Sequence, residues 1–249
     1  MIEKTIHYIW LGGKPEPKIL QKCKKTWQKH CPDYKIVRWD ESNLEVNSTI
    51  YTKQAYEAKK FAFVSDYFRF KVLYENGGIY LDIDVKLLKN LDKFLDNEFF
   101  SGFEKGTTTV NPGLIMGASK GSKIVKQLLD SYDGNTFLKE DGSLDLTTVC
   151  TRTTNELQKL GLVPEDKTQS GEGWTVFASE YFCPLSYDKI EKKKTKNTHS
   201  IHLYYGSWVK PTFKSKLIWL TKKILGRKKF EKLMQKRQQK KEQKNGGNN

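Results

Sequence analysis

No run of roughly 18 apolar residues occurs in the chain, so no membrane-spanning helix is expected. Cysteine is scarce. Cys23, Cys31, Cys150 and Cys183 are the four, and no pair has C-x-x-C spacing. They read as reduced thiols of a cytosolic protein, with no zinc site. The opening Met1-Ile2-Glu3-Lys4-Thr5 enters a strand pattern at once and leaves no room for a secretion signal. Gly12-Gly13-Lys14 lacks the G-x-x-x-x-G-K-[ST] spacing of a phosphate-cradling loop. Acidic residues are sparse at one end: from Phe213 onward there are 13 Lys/Arg against 2 Asp/Glu, leaving 31 against 27 before it. The net charge of +15 therefore belongs mostly to a tail. What is plentiful is core material, with 37% hydrophobic and 12% aromatic residues over 249 positions, enough for one α/β domain with a small appendage.

The patterning supports that class. Thr5–Trp10 reads as a first strand, Pro17–His30 as a helix with Ile19, Leu20, Cys23 and Trp27 inward, and Tyr34–Trp39 as a second strand. A strand–helix–strand opening belongs to α/β nucleotide-binding sheets, which take ligands at the loop leaving an early strand, here Leu11-Gly12-Gly13. Trp10 at that point serves either to stack on a base or to fill the core; His7 reads as a packed strand residue. A long helix is expected over Lys53–Asn76, broken near Lys59-Lys60. Within it Asp66 and Arg69 are neighbours, as a local ion pair or as partners of a polar ligand. Further strands are expected at Phe99–Glu104, at the end of Val110–Ala118, at Trp174–Phe177 and in Ser200–Trp208, with helices at Lys123–Tyr132 and Leu146–Leu160. Glycine in Val110–Ala118 permits close approach by a ligand. Gln169–Gly173 reads as a flexible link.

The most informative stretch is Glu75-Asn76-Gly77-Gly78-Ile79-Tyr80-Leu81-Asp82-Ile83-Asp84-Val85. The two glycines end the helix, because glycine accepts the left-handed backbone beyond a helix C-terminus. Ile79–Val85 then alternates: Ile79, Leu81, Ile83 and Val85 on one face, Tyr80, Asp82 and Asp84 on the other. Two carboxylates on one face call for solvent or a cation. In a straight strand they lie about 6.6 Å apart, whereas oxygen ligands sit about 2.0–2.6 Å from a hard cation. Both ligate directly only if the chain bends after Asp82. Otherwise Asp84 binds and Asp82 acts through water or holds another part of the ligand. His202 is either a structural strand histidine or the distant ligand that completes the site.

Three segments in order carry a family resemblance. Ile6-His7-Tyr8-Ile9-Trp10-Leu11-Gly12 resembles an opening strand. Phe63-Val64-Ser65-Asp66-Tyr67-Phe68-Arg69, leading through Tyr74 into Gly77-Gly78-Ile79-Tyr80-Leu81-Asp82-Ile83-Asp84, resembles a central block. His202-Leu203-Tyr204-Tyr205-Gly206-Ser207-Trp208 resembles a closing segment. Together they resemble glycosyltransferase family 32, the DXD-containing sugar transferases. That family includes yeast outer-chain mannosyltransferases and bacterial polysaccharide enzymes, and is related to the catalytic domains of large glucosylating toxins. The resemblance implies an α/β GT-A-type nucleotide-binding sheet flanked by helices. It also implies a nucleotide-sugar donor, often a UDP-sugar, with Mn2+ or Mg2+, and transfer with retention in cell-surface polysaccharide synthesis. Trp10 then resembles the base-stacking residue, and Asp66 and Arg69 the pair that holds donor hydroxyls. Asp82 resembles the acid shared between ribose and metal, and Asp84 the direct metal ligand. His202, Ser207 and Trp208 resemble the segment that reaches the metal and the leaving diphosphate. Tyr80 is counted with the donor-binding residues.

Residues 1–212 are read as the catalytic domain and 213–249 as a basic amphipathic tail, disordered towards its end. Phe213, Leu217, Leu220 and Ile224 form one helical stripe opposite lysines, which suits an anionic membrane surface. A lysine-rich tail without structure is the alternative. Docking at the inner face of the plasma membrane would suit a lipid-linked glycan acceptor. The rival classes are a basic nucleic-acid-binding protein and a non-catalytic sugar-nucleotide module. Nucleic acid is not expected as a partner, because the charge sits outside the folded part and no aromatic-basic RNA motif appears.

Overall fold

Thr5–Ile9 forms strand β1, and its side chains divide between two cores: Ile6 and Tyr8 enter one, Ile9 the other. The same division recurs wherever the central sheet is built, so both its faces are covered. A computed structural model describes residues 1–188 and 192–205, together with Thr221, Gly226, Phe230 and Lys232. After β1 come helix α1 (Lys18–His30), strand β2 (Lys35–Trp39), helices α2 (Ile50–Glu57) and α3 (Phe61–Asn76), and strands β3 (Gly78–Tyr80) and β4 (Val85–Leu87). Strands β5 (Phe99–Gly102) and β6 (Met116–Ala118), helices α4 (Lys123–Asp130) and α5 (Val149–Lys159), strands β7 (Gln169–Gly171) and β8 (Trp174–Phe177), helix α6 (Ser179–Phe182) and strand β9 (Ser200–His202) follow.

A seven-stranded sheet runs in the order β2-β1-β3-β6-β5-β8-β7. It is mixed: β1 pairs in parallel with β2 and β3, β5 with β8, while β6 and β7 run antiparallel to their neighbours. One core holds residues of α2, α3, α4 and α5, the other residues of α1, β4 and α6. Phe99 and Phe100 illustrate the pleat, one pointing into each. This is an α/β domain with helices on both faces of a mixed sheet, consistent with the GT-A architecture. Among the described residues no helix is long and apolar enough to cross a membrane.

Several expectations change in detail. The long helix over Lys53–Asn76 is two helices; α2 starts earlier, where Thr49 and Thr52 form a reciprocal capping box. The break comes at Lys59, whose φ is +56°. Gln169–Gly173 is no flexible link: Gln169–Gly171 is the edge strand β7, paired with β8. The strand expected over Ile79–Val85 ends at Tyr80. Ser207, Trp208 and the tail stripe of Phe213, Leu217, Leu220 and Ile224 lie outside the described residues. Phe230, within the tail, is buried, and its N–H donates to Gly226 O at 3.0 Å.

Candidate metal and donor site

The site begins where α3 ends. Gly77 has φ +70° and its N–H donates to Leu73 O, closing the helix. Gly78 has φ +99°, and a Cβ there would lie 2.8 Å from Thr5 O and 2.9 Å from His7 Nε2. The chain thus drops directly into β3 between β1 and β6. Leu81 N–H donates to His7 O at 3.0 Å and Asp82 N–H to Gly113 O at 2.9 Å. Then the backbone turns, with Val85 N–H donating to Asp82 O at 3.1 Å. This is the bend that two directly ligating carboxylates require.

Beyond the turn the chain leaves the large sheet and pairs as β4 with β9, Val85 opposite His202. Helix α1 anchors β4: Trp27 Nε1 donates to Val85 O at 2.7 Å, and Leu87 N–H donates to Thr26 Oγ1 at 3.0 Å. The small sheet is therefore what brings His202 to Asp84 across 118 positions of sequence. His202 Nε2 lies 3.0 Å from Asp84 Oδ1, and Tyr205 N–H donates to Asp84 Oδ2 at 2.7 Å. Burial opposes the charge on each partner, yet their pairing wins: the Asp84 carboxyl is held below its usual range and the His202 imidazole above its own.

Asp82 belongs to a second network. Tyr80 Oη donates to Asp82 Oδ1 at 3.0 Å, and Arg69 Nη1 lies 3.6 Å from the same oxygen. Arg69 also donates to Asp66 Oδ1 at 2.6 Å, and its guanidinium lies over the Tyr80 ring at 4.9 Å. Asp66 and Arg69 are both buried. Burial pushes the Asp66 carboxyl up to about 6 against the pull of Arg69. The i,i+3 pair foreseen on the helix thus extends to the carboxylate at the turn.

One oxygen each of Asp82 and Asp84 and one nitrogen of His202 lie within 4.8 Å of one another. Two carboxylates and an imidazole are a donor set that fits a divalent cation. His202 Nδ1 is buried with no hydrogen-bond partner among the described residues, so the imidazole's polar bonding here is made through Nε2 to Asp84. Asp82, Asp84 and His202 are the residues that would hold the cation.

The remaining site residues are placed as follows. Trp10 is half-buried just beyond β1, with Nε1 donating to Lys14 O at 2.7 Å, and no hydrogen bond ties it to the carboxylates. The loop after it opens on a recess of about 620 Å3, lined by Gly12, Gly13, Glu41, Tyr56, Lys59 and Phe61 among others. His7 is buried: Trp39 Nε1 donates to its Nδ1 at 3.0 Å, so Nε2 carries the proton and donates to Gly77 O at 2.9 Å. Ser207 and Trp208 are not described. Two participants escaped the sequence reading. Glycine in Val110–Ala118 was read as permitting close approach by a ligand; what that reading lacked is that a Cβ at Gly113 would sit 2.2 Å from Asp82 Oδ2, so this glycine makes room for the carboxylate. The Tyr205 amide carries no signature, since every non-proline residue has one.

Residues 17–101 match the family described as the glycosyltransferase sugar-binding region containing DXD motif. An uncharacterized glycosyltransferase of Acanthamoeba polyphaga mimivirus is 27% identical over 217 residues, 84% of each chain. The initiation-specific alpha-1,6-mannosyltransferase of Candida albicans is 31% identical over 105 residues, 38% of this chain and 27% of that one. In three dimensions the glycosyltransferase PaToxG superposes with a TM-score of 0.51 at 20% identity, covering 64% of this chain and 69% of that chain, a likeness of fold alone. The chain is a glycosyltransferase with a DXD-containing, GT-A-like domain, related to viral and fungal sugar transferases.

Proposed function

We propose that this glycosyltransferase, a member of family 32, is metal dependent. It moves a sugar from a nucleoside-diphosphate sugar, UDP-sugars foremost, to a glycan or lipid-linked glycan. The observation that supports this most is the convergence of Asp82, Asp84 and His202 at the turn between β3 and β4. Mn2+ or Mg2+ held there supplies Lewis-acid neutralisation of the diphosphate as the glycosidic bond breaks.

The chain's own residues do the rest. Arg69, fixed by Asp66 and Tyr80, keeps a positive charge beside the phosphates and needs no reorganisation when negative charge builds. Asp66, ionised above about pH 6, accepts a donor hydroxyl. The Trp10 loop and the neighbouring recess take the base. Transfer proceeds with retention by front-face displacement: the sugar–phosphate bond breaks, the bond to the acceptor oxygen forms on the same face, and a departing phosphate oxygen takes the acceptor proton. Residues 1–212 form the catalytic domain. The basic tail docks on the inner face of the plasma membrane, placing the site beside a lipid-linked acceptor.

The test is release or transfer of sugar from a panel of nucleotide sugars, with Mn2+, with Mg2+ and with chelator, by wild type and Asp84→Ala. Metal-requiring turnover of one donor class, lost in Asp84→Ala with the far-UV circular dichroism unchanged, is expected. Turnover that survives chelation, or that Asp84→Ala retains, contradicts the reading.

A further inference from the structure

Tyr204 stands between the histidine and the amide that flank Asp84, and its backbone is unusual. Its φ is +50°; among the described residues only Lys59 shares a positive φ without being glycine. A tyrosine in the left-handed region crowds its Cβ against the carbonyl, and such a conformation persists only where the surroundings hold it. Here the side chain is held on several sides. Its ring packs on the His202 imidazole at 4.3 Å between centroids and meets Tyr187 edge to face at 5.3 Å. Its hydroxyl lies 3.1 Å from Cys183 Sγ. The Cys183 S–H also reaches Leu185 O at 3.3 Å, and either the thiol or the hydroxyl can donate in its contact with Tyr204.

The backbone twist has a purpose that the hydrogen bonds reveal. Leu203 N–H still follows the ladder and donates to Asp84 O at 3.1 Å. Continued antiparallel pairing would carry the Tyr205 amide past Asp84 towards Asp82 O, an oxygen that Val85 N–H already uses. The left-handed residue turns the chain back, and the Tyr205 N–H instead meets the Asp84 carboxylate.

We infer that Tyr204 is the positioning residue of the cation centre. Its backbone delivers the Tyr205 amide to Asp84, and its ring, latched to Cys183, holds the His202 imidazole in register with both carboxylates. This rests on reading Asp82, Asp84 and His202 as a cation site. In this role Tyr204 acts through its two neighbours, the His202 imidazole and the Tyr205 amide.

The experiment is Mn2+ binding, read from the electron paramagnetic resonance of the free aqueous ion, alone and with UDP. Wild type, Tyr204→Ala, Tyr204→Phe, Tyr204→Gly and Asp84→Asn are compared, with Tm and far-UV circular dichroism for each. Tyr204→Ala, losing ring and hydroxyl, is expected to weaken Mn2+ binding by about tenfold or more, in the range typical of residues that orient metal ligands. Tyr204→Phe keeps the ring contact and Tyr204→Gly favours the backbone turn, so each falls between Tyr204→Ala and wild type. Binding by folded Tyr204→Ala within about twofold of wild type, well short of such losses, overturns the inference. If Tyr204→Ala does not fold, Tyr204→Phe decides: affinity equal to wild type overturns the latch, and a clear loss at unchanged Tm supports it. Asp84→Asn separates the two readings. If it binds Mn2+ as wild type does, the cation site falls and Tyr204's role with it. If it loses Mn2+ while Tyr204→Ala keeps it, only the positioning role falls.

Discussion

Gly113 owes its lack of a side chain to Asp82, whose carboxylate fills the space a Cβ would take, with Arg69 Nη1 3.0 Å from the same point. Its φ is not positive, so alanine is allowed by the backbone and the strain falls on the carboxylate. Gly113→Ala should therefore lower turnover by about tenfold or more, as displaced ligand supports do, with a smaller effect on Tm; kinetics beside thermal melts would check this. Arg69 makes a second residue-scale case. With it replaced by methionine, Asp66 stays buried without its partner. Asp66 has a folded pKa raised above its unfolded value, so the folded state holds the extra proton and stability is lost as pH rises through about 6. The stability deficit of Arg69→Met against wild type should accordingly widen as pH rises, towards about 3–5 kcal/mol at alkaline pH. Urea melts across pH read it, and a deficit independent of pH would contradict the pairing. The pair itself was legible from its helical spacing. Its reach to Asp82 was not, since no local pattern records which turn a helix end will face.

At the scale of elements, His7 ties β1 to β2 and to the end of α3, donating to Gly77 O and accepting from Trp39. Desolvation pushes its pKa from 6.5 down to about 4. The unfolded chain then binds more protons between those values, so His7 contributes stability that is lost as pH falls from about 6.5 to about 4, about 3 kcal/mol at most. His7→Gln should flatten the pH dependence of Cm in that window relative to wild type; parallel profiles would contradict it. Strand β3 shows where the sequence misleads. Ile79–Val85 alternates as one strand would, yet strand–turn–strand produces the same alternation. Where a strand stops depends on its partners: β3 pairs with β1 and β6, and the chain then passes to β9. The bend could be stated beforehand only as a condition for two carboxylates to ligate together. The edge strand β7 was missed because glycine and polar residues at a sheet edge resemble a linker. The helix break was expected near Lys59-Lys60, where a mostly polar stretch gives way to the apolar run that starts at Phe61.

For the whole molecule, the α/β class was legible from the strand–helix–strand opening, while the order of strands was not, since it is set by pairings far apart in sequence. The basic charge concentrated after Phe213 leads to a separate expectation. Removing residues 213–249 should leave donor hydrolysis unchanged and weaken binding to vesicles containing anionic lipid, by about 1 kcal/mol for each basic residue at the surface. Sedimentation with such vesicles checks it, and equal binding by both forms would remove membrane docking from the account. The central claim is tested most directly by anomalous scattering from a crystal grown with Mn2+ and UDP. The account predicts a manganese peak among Asp82, Asp84 and His202, with the diphosphate against it. A peak elsewhere, or Asp84 still paired with His202 beside bound UDP and no ion between them, would contradict it.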